Sequence, residues 1–167
     1  MDFQSLNNNA LAEAMKEALA TSTENMKVAA EHVAELVRGS KDVSSLTKLI
    51  SDGLTSNNPN TRQHACIITT ALAKNRIPRL EPYLAPLLGH LLGLYADKKF
   101  NIRSPAAEAA LAIVDSTNPN AIRVLLPFIF DAMECTKKWQ SKVGALNLIG
   151  HLADIAPVQV SRCLPDI

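Results

Sequence analysis

Arg62-Gln63-His64-Ala65-Cys66-Ile67-Ile68-Thr69-Thr70-Ala71-Leu72 carries a spacing that returns twice further along the chain. Reduced to its periodic residues it reads Arg62-x-x-Ala65-x-x-Ile68-x-x-x-Leu72, then Arg103-x-x-Ala106-x-x-Ala109-x-x-x-Ile113, then Lys142-x-x-Ala145-x-x-Leu148-x-x-x-Leu152. Steps of three and four place the apolar residues on one face of a helix that begins with a cation. The basic residues lie 41 and 39 positions apart. A proline inside a leucine-rich stretch keeps the same beat: Leu84-Ala85-Pro86-Leu87, Leu125-Leu126-Pro127-Phe128 and Leu164-Pro165, with prolines 41 and 38 apart. Two separate landmarks on one period predict helix pairs stacked side by side. Such a stack buries its core between neighbours and offers long surfaces to partners, with no pocket required.

Toward the N-terminus, Lys27-x-x-Ala30-x-x-Val33-x-x-x-Val37 fits a degenerate first copy. A helix from Asn9 precedes it, with Ala10, Leu11, Ala14, Met15, Ala18 and Leu19 on one face; Thr23 is placed to cap the next helix and Gly39 to end it. Residues 1–8 read as a flexible N-terminus and 9–167 as a single repeat domain. Its later pairs are expected near 43–55 with 61–74, 80–96 with 102–116, and 121–134 with 138–155. Residues 158–167 read as the first helix of a fifth pair, which suggests a fragment of a larger protein. Asn57-Asn58-Pro59-Asn60, Pro78, Asn118-Pro119-Asn120 and Pro157 supply the punctuation. No strand-like alternation competes, so the expected fold is an all-α solenoid of antiparallel helix pairs with a right-handed superhelix.

The composition agrees. Apolar residues make up 47% of the chain but aromatics only 4%, so Ala and Leu fill the core and let helices approach closely. The formal net charge of +1 gives no global pull toward nucleic acid or membrane, although the first forty residues are acidic and the next forty basic. Cys66, Cys135 and Cys163 lack metal-type spacing and suit a reducing, cytoplasmic setting. The longest apolar run, near residues 84–95, is too short to span a bilayer, and no signal-like leader opens the chain. There is no phosphate-binding glycine loop. His32, His64, His90 and His151 have no ligand-like spacing and read as surface or half-buried helix residues. Nothing resembles a nucleophile with its base. Catalytic, cofactor and metal sites are therefore not expected within these residues.

Surface chemistry is more informative. Lys98-Lys99-Phe100 and, one repeat later, Lys137-Lys138-Trp139 fall in equivalent turns on one edge of the expected stack. Stacked, they form a basic ridge with a ring beside each lysine pair, a pattern suited to phosphates and bases. Equally, turn lysines are ordinarily solvated, and Trp139 suits a staple packed on the start of its helix. Arg62, Arg103 and Lys142 suit a structural bridge to acidic or carbonyl groups of the adjacent turn, with Asp97 and Glu134 in reach. Pro86, Pro127 and Pro165 suit bends that let each helix follow the superhelix. The densest basic patch, Lys74-Asn75-Arg76-Ile77-Pro78-Arg79, lies on the opposite edge.

Beyond the general pattern, Glu81-Pro82-Tyr83, Asn118-Pro119-Asn120-Ala121-Ile122-Arg123-Val124-Leu125-Leu126-Pro127 and Lys138-Trp139-Gln140-Ser141-Lys142 resemble the HEAT-repeat region of the fungal-type translation elongation factor 3 family. Residues 1–80 match through Glu24-Asn25 and Val28-Ala29-Ala30-Glu31-His32-Val33. The resemblance implies a HEAT-repeat solenoid at the start of a cytoplasmic, ribosome-associated ATPase. It implies contacts with small-subunit rRNA and ribosomal proteins, and with other translation factors, no membrane, and a monomer. In that family ATP-binding cassettes, which would bring ATP and Mg, lie outside such residues and promote release of tRNA from the exit site. The repeats are also similar to those of a ribosome-bound activator of the starvation-response kinase. A generic HEAT protein-interaction scaffold remains the alternative reading of the residues themselves.

Overall fold

The computed structural model describes residues 3–135 and 137–166. Its helices are α1 (Phe3–Ala20), α2 (Met26–Gly39), α3 (Leu46–Leu54), α4 (Pro59–Lys74), α5 (Glu81–Leu84), α6 (Leu88–Leu94), α7 (Phe100–Ser116), α8 (Ile122–Cys135), α9 (Trp139–Ile155) and α10 (Pro157–Ser161). Among the described residues there is no strand. The fold is all-α, and consecutive helices fold back on each other as α1 with α2, α3 with α4, α6 with α7 and α8 with α9.

The residues that set the period also make the core. Ala65, Ile68 and Leu72, then Ala106, Ala109 and Ile113, then Ala145, Leu148 and Leu152 are all buried, as are Ala30, Val33 and Val37 of the first copy. Burial at recurring steps drives the stacking, because a lone pair leaves that face in water. The second helices form one layer, in which α2 packs on α4 and α4 runs along α7, while α7 and α9 touch only lightly. Tyr95, in the turn after α6, lies against Gly144 of α9: a β-carbon built on Gly144 would sit 2.3 Å from the Tyr95 ring. This glycine makes room for the ring, and burial pushes the Tyr95 phenol up to about 12.

Several boundaries differ from the sequence reading. The backbone is helical from Phe3, ahead of the expected start at Asn9; residues 1 and 2 of the segment read as flexible lie outside the described residues. Once the face carrying Leu11, Met15 and Ala18 is buried, extending a formed helix backward costs little even through asparagines. Thr23 does not cap α2. It opens a short 3-10 turn, Thr23–Asn25, and Ser22 holds the extended position before it. Pro86 does more than bend its helix, because the 3-10 segment Ala85–Leu87 divides α5 from α6. Pro127 stays inside the continuous α8, and Pro165 lies in the 3-10 turn Leu164–Asp166.

Candidate functional site

The turns inside successive pairs line up along one edge, and Asp97 holds them there. The Arg62 guanidinium, at the start of α4, donates from Nε to Asp97 Oδ2 at 2.9 Å and from Nη2 to Oδ1 at 3.2 Å. Its Nη1 also reaches the carbonyls of Ser56 (2.8 Å) and Asn57 (3.2 Å), closing its own turn. Within Asp97's own turn and the helix it leads into, the Lys99 N–H donates to Asp97 Oδ1 at 2.9 Å, and Arg103 Nε donates to the Asp97 carbonyl at 2.6 Å. Asp97 is only 8% exposed. Burial alone raises its carboxyl, but the Lys99 N–H, the Arg62 guanidinium and the charge of Lys138 outweigh it and hold the group below its ordinary value. One carboxylate thus ties together the turns of two consecutive repeats, and the charge of Lys138 in the following turn bears on it. Asn101 Nδ2 adds a bond to Gln63 Oε1 at 3.2 Å between the starts of α7 and α4. Lys142, the third member of the cation series, is exposed on α9.

This buried frame presents the predicted ridge outward. Lys98, Lys99, Lys137 and Lys138 are exposed. Lys99 and Lys138 are in extended conformation immediately before α7 and α9, so Phe100 and Trp139 each open a helix. Neither ring packs as a staple, since Phe100 is 82% and Trp139 69% exposed. The position matching them in the preceding repeat is Pro59, preceded by Asn58, whose side chain accepts from the Asn60 N–H at 3.0 Å and caps α4. At α7 and α9 the residue before the helix is a lysine that makes no side-chain cap. A cation there opposes the partial positive charge of a helix start. That arrangement makes the edge favourable to anions.

The opposite edge turns out differently from what its charge suggests. Lys74 pairs with Glu108 at 3.1 Å. Arg79 caps α2 by donating to the carbonyls of Val37 and Arg38. Arg76, at φ 49°, ends α4 in the left-handed region and stands over a cleft of about 610 Å³ floored by Leu72, Ile77 and Leu84. Two of the three cations in the densest basic patch are therefore occupied in holding repeats together.

His64 is more deeply placed than the surface or half-buried position expected of it. It is 2% exposed, with Nδ1 3.0 Å from the Leu19 carbonyl and Nε2 3.5 Å from Thr23 Oγ1. It pins the α1–α2 turn to α4. No local spacing reveals this, because its partners lie more than forty positions away. His151 meets Asp115 at 2.6 Å between α9 and α7. Among the described residues no cluster of three or more His, Cys, Asp or Glu side chains is arranged to hold a metal. No helix among them is long and apolar enough to cross a membrane.

Comparison with known proteins fits this architecture. The family described as EF3 N-terminal HEAT repeat matches residues 26–167. Elongation factor 3 of Phytophthora infestans is 44% identical over 157 residues, covering 93% of this chain and 15% of that protein. The eIF-2-alpha kinase activator GCN1 of Dictyostelium discoideum is 34% identical over 110 residues, 65% of this chain and 4% of that protein. The human stalled ribosome sensor GCN1 is 34% identical over 87 residues, 52% of this chain and 3% of that protein. The chain spans about 15% of the length of the elongation factor it matches.

Proposed function

Because the chain belongs to the elongation factor 3 N-terminal HEAT-repeat family, we propose that it is a docking arm by which a translation factor holds the ribosome. Small-subunit rRNA and ribosomal proteins are the partners, and the contact edge is Lys98, Lys99, Phe100, Lys137, Lys138 and Trp139. The observation that carries this reading is the exposure of both lysine pairs and both rings on a frame fixed by Asp97. A rigid row of cations suits an RNA surface, since phosphate contacts displace condensed counterions. The prolines Pro86, Pro127 and Pro165 and the cations Arg62 and Arg103 serve the scaffold rather than the contact.

In this reading the arm does no chemistry. ATP and Mg belong to cassettes outside these residues, whose hydrolysis would promote tRNA release from the exit site while the arm sets their position. The work is cytoplasmic. The similarity to the kinase activator and the ribosome sensor supports a second reading, in which the same kind of arm serves a ribosome-bound regulator. Both place the ribosome against this edge.

The test is co-sedimentation with ribosomes and with isolated small subunits at low and physiological salt. Saturable pelleting that weakens steeply with salt is expected. The Lys98→Glu, Lys99→Glu, Lys137→Glu, Lys138→Glu variant should lose pelleting while keeping its helix content. Pelleting unaffected by four charge reversals would overturn the assignment of this edge.

A further inference from the structure

We propose that the Phe100–Trp139 ridge takes a single-stranded stretch of RNA, its two rings stacking on unpaired bases while the neighbouring lysines hold the phosphates. This deepens the docking reading above and rests on it for the identity of the edge. The chain has few aromatic residues, and most of them are used inside the fold. Tyr83, Tyr95, Phe128 and Phe130 pack against the core. Phe100 and Trp139 stay in water, and they occupy the same position of successive repeats. The fold does not require a ring there, since Pro59 opens α4 at the matching position. Two exposed rings at one repeated position, each following two lysines, are placed for a ligand with flat faces and negative charge in alternation.

A single strand has that character and a duplex does not. A regular RNA helix offers its phosphates but keeps its base faces stacked, so the rings would stay in water; an unstacked strand offers both. Neighbouring helices in a stack lie about 8–10 Å apart, more where α7 and α9 touch lightly, a separation within reach of nearby nucleotides on an extended strand. The backbone turn that carries Phe100 is also fixed in advance. The Lys99 N–H is bonded to Asp97 Oδ1 at 2.9 Å, and the buried carboxylate binds that turn to Arg62, so little ordering remains to be done on binding. First-turn N–H groups of α7 and α9, which no side chain caps, add donors beside the lysines.

Trp139 is the only tryptophan in the chain, so its own fluorescence reads the stacking. The probe is a non-self-complementary RNA strand of roughly 15 nucleotides, within the site sizes known for single-strand binders, compared with the same strand closed by its complement. The single strand should quench Trp139 saturably and the duplex should not. Phe100→Ala should weaken single-strand binding by roughly 5- to 150-fold, the range expected for one lost stacking contact. Trp139→Ala, followed by anisotropy of labelled RNA, should do the same. Circular dichroism should show both variants melting as the parent does. Equal affinity for strand and duplex without quenching, or affinity unchanged by either alanine, would overturn the proposal. Ribosome pelleting that survives both alanines but not the lysine reversals would retain the docking arm and remove the stacking. Stacking on the strand without ribosome pelleting would do the reverse.

Discussion

Replacing Asp97 by Asn should loosen the join between two successive repeats. The Asp97 side chain is 7% and the Arg62 side chain 17% exposed, and the two share a two-pronged contact at 2.9 and 3.2 Å. Breaking a buried ion pair by neutralising one partner commonly costs about 3–5 kcal/mol, because the other charge is left buried. Here Arg62 keeps two carbonyl partners and some water, so we expect a loss of about 2–3 kcal/mol. Asn retains the oxygen that receives the Lys99 N–H; Asp97→Ala also removes that bond and should lose about 1 kcal/mol more. For a chain of this size, 1 kcal/mol shifts the melting temperature by about 2–4 °C, so Asp97→Asn should melt about 4–12 °C lower by far-UV circular dichroism at neutral pH. The acid limb gives a second readout. Asp97 ionises below its ordinary value of 3.8 in the folded protein, so its stabilisation is complete at higher pH. It is lost as pH falls below about 3.8 through the folded value. The gap between parent and Asp97→Asn should therefore stay constant from neutral pH down to about 5 and close in acid. A variant within about 0.5 kcal/mol of the parent at neutral pH would refute the claim that this carboxylate ties the turns together.

Gly144→Ala sets a helix-propensity gain of about 1 kcal/mol against a β-carbon 2.3 Å from the Tyr95 ring. Overpacking costs about 1–3 kcal/mol, so urea unfolding should show a net loss, which Tyr95→Leu in the same chain should largely relieve. Cys66 is fully buried and its thiol pushed up to about 12 by that burial and by Asp97, against the opposing charge of Arg62. Mass-spectrometric alkylation should leave it intact at pH 8 in the folded protein and modify it quickly in denaturant. Arg79→Ala should cost about 1 kcal/mol through the lost cap on α2, with ribosome pelleting unchanged.

The period of the repeat was legible because it rests on burial. Every residue of the Arg62, Arg103 and Lys142 templates chosen for apolar spacing is in the core, and hydrophobic periodicity is the signal a linear sequence states most directly. The Arg62–Asp97 bridge was legible in outline for a related reason, since stacked copies bring a helix start to the next turn. What the sequence could not show was which charges find partners. Lys74 and Arg79 look like part of an open basic patch, yet they meet Glu108 and the carbonyls ending α2. His64 reads as a surface or half-buried residue, yet the α1–α2 turn closes over it. Each of those outcomes depends on contacts across a whole repeat. The proline at 86 likewise gave no sign whether its helix would bend, as Pro127 permits in α8, or divide. For the ridge itself, two readings of Trp139 were open, and its 69% exposure favours the surface one over a packed staple.

Site-specific photo-crosslinking tests the docking edge most directly. A benzophenone side chain would replace Phe100 in one variant and Ile155 in another. Ile155 is also exposed, but it ends the helix that Trp139 begins, on the order of 24 Å away along a helix of this length. Bound to ribosomes and irradiated, position 100 should crosslink to small-subunit RNA and position 155 should not. Crosslinks from position 155 with none from position 100 would place the ribosome on the wrong edge for this account.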